Sequence, residues 1–304
     1  MGDRARAGTR QGDGDLGRAR PGPAPLGAGE APVAQEPPGG RVPLAGAGLI
    51  SERWGLTPVE SFEPGAASTV VQRVRRTDGS EAVLKIQKPH RESEHEAAAL
   101  ELWAGDGAIR LLDHDPEEHA LLLELCAPGT PLSAAGQETA LDVFVELLPR
   151  LWKPAGDPFR PLADEAAWWA EYLPRQDWSV APQLLEAALE ALRELPPTQG
   201  EQVLVNQDLH GDNVLAAERE PWLVIDPKPL AGEREFAVAP IVRSFELGHS
   251  KRDVLHRFDR LTSELGLDRE RARGWSIAQT VAWAGDSDFS RTHLETAQWL
   301  LEAT

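Results

Sequence analysis

Apolar and polar positions change rhythm twice along the chain. Residues 1 to about 48 show no period: Gly, Pro, Ala and Arg dominate, with PGPAP and EPPGG among them. Such a stretch buries too little apolar surface to offset the entropy of ordering, so a disordered extension is expected there. From residue 50 to about 125, apolar residues come in short runs bounded by turn signals such as Thr77-Asp78-Gly79-Ser80. That pattern predicts strands near 59–62, 68–74, 81–87, 109–113 and 119–124. One interruption, ESEHEAAALELW, sets Ala97, Leu100 and Trp103 at helical spacing and predicts a helix near 92–103. Beyond residue 130 the helical period dominates, with helices expected at 134–152, 162–172, 180–195 and three or more between 240 and 303. Among them, Val203-Leu204-Val205 and the run 222–225 read as short buried strands either side of a polar loop, 206–213. The pattern describes an α+β chain. A small antiparallel sheet lobe, 49–127, precedes a larger, mostly helical lobe, 128–304.

Chemistry concentrates in the loop between the two late strands. Asp208 and Asn213 stand in a D-x-x-x-x-N spacing, and the following strand ends on Asp226. Phosphoryl transfer asks for this set: one carboxylate to orient an attacking hydroxyl, and an amide and a second carboxylate to hold magnesium. The spacing alone is a weak signal, since Asp and Asn are also ordinary turn residues. Its context strengthens it, because strand, polar loop and strand converge on one point. Upstream, Ala82-Val83-Leu84-Lys85-Ile86 puts one lysine on an apolar strand, costly unless paired or meeting a phosphate. Glu96, on the predicted helix, is the partner that would aim it.

These residues carry a resemblance. The chain is similar to the aminoglycoside phosphotransferases, most of all to their streptomycin 6-kinase and hydroxyurea-phosphotransferase-like branch. The matching segments are GAASTVVQRVRRTDGSEAVLKI, HEAAALELW, AIRLLDHDPEEHALLLELCAPGTPL, QDLHGDNVL and PWLVIDPKPLAGE. The resemblance runs from about residue 51 onward and implies a two-lobed protein-kinase-like fold using ATP and Mg2+. It makes Asp208 the catalytic base and Asn213 and Asp226 the magnesium ligands. Lys85 meets the α- and β-phosphates, Glu96 positions Lys85, and Ser68 lies near the phosphates from the turn between the first two strands. Lobe order makes 125–129 the hinge, with backbone groups around Glu124 and Cys126 free for adenine.

The chain departs from the family pattern twice. Asn206-Gln207 replaces the usual His-Gly before the catalytic aspartate, and EFAVA, with Ala237, lacks the usual later aspartate. Both positions would brace the catalytic loop from behind, and Asn and Gln can still hydrogen-bond there. The acceptor pocket is expected in the helical lobe, with His210, Asp212, Asp286, Asp288 and Trp283 as candidates and Trp168 and Trp169 behind them. Tryptophans at helical spacing are more often core, and His210-x-Asp212 lacks a third ligand at zinc-like spacing. The resulting expectation is a phosphotransferase with an alcohol group as acceptor, acting on an aminoglycoside. A kinase for a simple amino sugar or other metabolite, and a nucleotide-binding pseudokinase, are the alternatives.

Composition narrows the partners. The formal charge is −18, and residues 1–48, with six arginines and five acids, contribute almost none of it. A surface this acidic excludes a phosphate backbone as partner and suits a cationic sugar, although it also serves plain solubility. The single cysteine, Cys126, permits no internal disulfide and fits a reducing, cytoplasmic setting, where it reads as a small buried hydrophobe. No apolar run nears the ~20 residues of a membrane span, so no membrane is expected. A monomer or homodimer is expected.

Overall fold

The computed structural model describes residues 45–62, 68–176, 179–285 and 289–303. Most of the 1–48 extension lies outside the described residues. Its last residues, 45–48, belong to helix α1 (Ala45–Arg53), where the sequence predicted no regular structure.

The first lobe is a five-stranded antiparallel sheet in the order β1-β2-β3-β5-β4. Its strands are β1 (Thr57–Phe62), β2 (Ser68–Arg75), β3 (Glu81–Gln87), β4 (Leu111–Asp115) and β5 (Ala120–Glu124), each within two residues of its predicted limits. Side chains alternate across a strand, and the sheet uses both faces. Ala82, Leu84 and Ile86 of β3, with Ala120 and Leu122 of β5, close a small core against Ile50 of α1. Leu121 and Leu123 turn to the other face and join the main core, which continues into the second lobe. Lys85 falls on that second face by the same alternation. Helix α2 (Glu96–Trp103) is shorter than the predicted 92–103: residues 91–95 form turns instead.

The second lobe follows residues 125–129. It comprises α3 (Gln137–Leu151), α4 (Leu162–Tyr172), α5 (Pro182–Glu194), α6 (Ala239–Arg243), α7 (Lys251–Glu264), α8 (Arg269–Ala282) and α9 (Ser290–Glu302). The predicted 134–152 helix divides at Gly136, whose φ of 83° lies in the left-handed region; a single 3₁₀ turn, Leu132–Ala135, precedes it. Helix α8 is buried from Trp275 to Ala282 and packs against α5, α6 and α9. Two small ribbons carry the loop of interest. Strand β6 (Val203–Asn206) pairs with β9 (Pro229–Gly232), and β7 (Val214–Ala216) pairs with β8 (Trp222–Val224). The segment 207–213 therefore leaves one ribbon and enters the other. Among the described residues, no helix is long and apolar enough to cross a membrane.

Candidate active site

A cleft of about 650 Å³ opens between the sheet and the β7–β8 ribbon. Val71, Val83, Ile109, Leu123, Leu215 and Ile225 give it apolar walls, while Lys85, Glu96 and Asp226 gather at one end. This is the size and character of a small-molecule pocket: mostly apolar, with few convergent polar groups. Ser68 lines it as the first residue of β2, not as part of the preceding turn.

Lys85 sits deep in this cleft. Its Nζ lies 2.9 and 2.7 Å from the two Glu96 carboxylate oxygens and also contacts Asp226 Oδ1. Gln87 Nε2 donates to Glu96 as well. Burial alone would lower the Lys85 ammonium, but the Asp226 and Glu96 carboxylates outweigh it and hold its pKa above the ordinary value. Burial pushes the Glu96 carboxyl up to about 7 against the pull of Lys85. For Asp226, burial is outweighed by Lys85 and then Lys228, and its pKa lies below the usual carboxylate range. Asp226 adopts φ 49°, a left-handed conformation that a non-glycine residue enters at a cost of about 1–2 kcal/mol. It is held there because Ile225 N donates to Asn213 O and Lys228 N donates to Asn206 Oδ1.

Asp208 occupies the loop below. Its amide N–H also donates to Asn206 Oδ1, at 3.0 Å, so one side-chain oxygen binds both Asp208 and Lys228 at their backbones. Asn213 Nδ2 donates to Asp208 O at 2.9 Å, and Gln279 Nε2, from α8, donates to Gln207 O at 2.7 Å. Asn206 thus braces the loop through its side chain, whereas the buried Gln207 side chain meets no hydrogen-bond partner among the described residues and only its backbone carbonyl is held, by Gln279. The Asp208 carboxylate lies between two cations: Lys228 Nζ is 2.9 Å from Oδ2 and Arg243 is 3.1 Å from Oδ1. Both cations also face the Trp283 ring, at 5.3 and 4.2 Å from its centroid. Burial would lower Lys228, but Asp208 and Glu92 outweigh it and raise its pKa; for Arg243, burial prevails and lowers it.

Several expected site residues take other places. Trp283 is fully buried beneath Arg243 and Lys228, so its ring supports the cations and offers no face to a sugar. His210 is buried too. Its Nδ1 lies 3.2 Å from Glu246 Oε1, to which it donates, and it stands at the start of a single 3₁₀ turn, Gly211–Asn213. Burial would lower the imidazole, but the Glu246 hydrogen bond prevails and raises it, while Glu246 itself is held down to about 2. Asp212 accepts from the Ser133 hydroxyl. Asp286 and Asp288 lie outside the described residues. Trp169 is core, stacked on Phe236, and Trp168 stacks on Tyr172 beneath the Arg91 guanidinium.

At the hinge the Glu124 N–H is not free. It donates to Arg110 O, and the Glu124 carboxylate engages Arg219 at 2.8 Å. The Cys126 N–H, by contrast, meets no backbone acceptor among the described residues, and Cys126 lines the cleft. Its thiol is half-buried and pushed up to about 12 by burial, which leaves it unreactive. Sequence reasoning missed Lys228, Arg243 and Glu92. The IDPKPL run pointed at Lys228, but nothing local marks Arg243, which meets Asp208 across 35 residues of chain.

A sheet lobe and a helical lobe meet at a cleft with a Lys–Glu pair above and a braced loop aspartate below. That arrangement is the protein-kinase-like fold. The chain belongs to the aminoglycoside/hydroxyurea antibiotic resistance kinase family, which matches residues 53–288. It is 42% identical over 248 residues to the streptomycin 6-kinase of Streptomyces glaucescens, covering 77% of this chain and 80% of that protein. It is 41% identical over 239 residues to the hydroxyurea phosphotransferase of Kitasatospora aureofaciens, covering 76% of this chain and 68% of that one. Among solved structures, the choline kinase LicA from Streptococcus pneumoniae superposes with a TM-score of 0.63 at 14% identity, covering 84% of this chain and 99% of that one; this likeness concerns the fold.

Proposed function

We propose that the protein transfers the γ-phosphoryl group of ATP to a hydroxyl of an aminoglycoside of the streptomycin type. The observation that carries this reading is the pairing of a Lys85–Glu96–Asp226 cluster at the end of an apolar cleft with a braced Asp208 on the adjoining loop. The cleft walls suit adenine, with the Cys126 N–H as a hinge donor, and Lys85 suits the α- and β-phosphates. Asn213 spends its amide nitrogen on Asp208, so its oxygen is the end available to a cation, and Asp226, next in sequence to the Ile225 whose N–H donates to Asn213 O, offers a carboxylate. One amide oxygen and one carboxylate fit Mg2+, which takes oxygen ligands and completes its shell with phosphate and water. When bound, the ion would neutralise phosphate charge and fix the phosphates in place.

Asp208 would accept a hydrogen bond from the acceptor hydroxyl and aim it in line at the γ-phosphorus. Lys228 and Arg243 fix the rotamer of its carboxylate, so orientation is set before the acceptor arrives. The phosphoryl transition state needs little covalent help, and rate comes from positioning and charge neutralisation. The acidic surface favours a cationic acceptor, in keeping with the named substrate of the Streptomyces glaucescens relative.

A coupled ATP-consumption assay tests this reading against streptomycin, other aminoglycosides, simple amino sugars and hydroxyurea. Turnover on streptomycin with a phosphorylated product is the expected result. Turnover on amino sugars or hydroxyurea alone would reassign the acceptor. ATP binding without turnover on any acceptor would favour a pseudokinase.

A further inference from the structure

The two lysines of the site are not equally satisfied. Lys85 has three carboxylate oxygens in contact and all its donors in use. Lys228 is as deeply buried, with a side chain only 4% exposed, yet among the described residues only Asp208 Oδ2, at 2.9 Å, lies within hydrogen-bond distance of its ammonium. Glu92 Oε2 stands at 3.6 Å, too far for a hydrogen bond, and Trp283 presents a ring face at 5.3 Å. An ammonium carries three donors, so this one is short of acceptors at depth. Arg243, its counterpart across Asp208, is committed to the carboxylate and to a closer ring contact.

The position of Lys228 says which acceptor is missing. It follows Asp226, which lines the nucleotide end of the cleft, by two residues, and its ammonium reaches the Asp208 carboxylate, so this stretch of chain links the two groups. A hydroxyl bonded to Asp208 would attack phosphorus from about 3–3.5 Å. The departing phosphoryl group therefore passes within a few ångströms of a cation already 2.9 Å from Asp208. We infer that Lys228 is a second phosphoryl-binding lysine: its ammonium bridges the Asp208 carboxylate and a non-bridging oxygen of the γ-phosphate during transfer. Glu92, on the β3–α2 loop, holds the ammonium by longer-range attraction until that oxygen arrives. This inference rests on the kinase reading above.

Calorimetric binding of Mg·ADP and Mg·AMP-PNP to the full chain tests it, because only the second nucleotide carries a γ-phosphate analogue. Lys228→Met should leave ADP affinity within about twofold and weaken AMP-PNP about tenfold, the worth of one charge-assisted hydrogen bond. Lys228→Arg should recover part of the AMP-PNP preference. An unchanged ratio of the two affinities in Lys228→Met would overturn the inference and leave Lys228 as a residue that only positions Asp208. ADP binding serves as the folding check. If Lys228→Met fails it, Lys228→Gln, which keeps a polar end, is read by the same ratio. Failure of the wild-type protein to bind either nucleotide would instead defeat the kinase reading itself, and this inference with it.

Discussion

Asn206 shows how much one side chain decides at this site. Its Oδ1 accepts the Asp208 N–H at 3.0 Å and the Lys228 N–H at 2.9 Å, all of them buried. Asn206→Ala strands two buried donors, each worth about 1–3 kcal/mol when unpaired. Urea denaturation should record a loss of that order, and kcat should fall with ADP affinity retained. His293 gives a second prediction at this scale. Burial first, and then the Arg243 charge, pushes its imidazole down to about 3, and its Nδ1 lies 3.2 Å from Trp283 O. A histidine lowered on folding contributes stability above its unfolded value near 6.5 and loses it as pH falls from there toward 3. At pH 5 that loss is about 2 kcal/mol. Denaturation midpoints measured from pH 7 to 4 should fall, and His293→Gln should flatten the fall. Glu246, lowered to about 2, adds a later limb: its contribution, present above about 4.5, fades as pH approaches 2.

At the scale of elements, strands and helices with a clean period were legible, and those governed by distant contacts were not. Strand β3 and helix α4 fall at the expected limits because alternation in one and helical spacing in the other are local properties. Strand β9 escaped prediction because it opens on Pro229, which argues against a strand, although proline is tolerated at the first position of one; β9 pairs with β6 and, on its other side, Ala231 N donates to Arg160 O. Helix α2 begins later than its sequence suggests because the preceding residues are claimed by the other lobe: Arg91 by Glu165 and Glu92 by Lys228. Likewise Asp208, Asn213 and Asp226 could be read from spacing, while the cradle of Lys228 and Arg243 depends on chain segments that only folding brings together. The single turn after Asp208 makes its own demand. A Cβ on Gly211 would stand 3.0 Å from Ser133 N and 3.1 Å from Ser133 Cα, and backbone cannot swing aside. Gly211→Ala should therefore shift the catalytic loop and lower kcat by about tenfold or more, as misplacement near the chemistry does, with less effect on nucleotide affinity in calorimetry.

Across the whole molecule, the β3–α2 loop ties the two lobes together. Glu165 of α4 lies 2.8 Å from Arg91 and 2.7 Å from Arg160, and Arg160 donates to Arg91 O. Glu165→Ala leaves two guanidinium groups facing each other without their shared carboxylate, a change costing about 3 kcal/mol or more and visible as a lower melting temperature. The charge of −18 acts over the longest range. If it draws a cationic acceptor to the cleft, kcat/KM for that acceptor should fall as the Debye length shrinks from ~30 Å at ~0.01 M salt to ~3 Å at ~1 M, with kcat nearly constant. The central claim is that Asp208 directs a γ-phosphoryl group onto an aminoglycoside hydroxyl. Its most direct test is phosphorus NMR of streptomycin incubated with Mg·ATP and either the wild-type protein or Asp208→Ala, with ADP affinity measured in both. The account predicts a new phosphomonoester signal with the wild-type protein, its near disappearance in the variant, and equal ADP affinities. An equal signal from Asp208→Ala, or none from a wild-type protein that binds ADP, would contradict it.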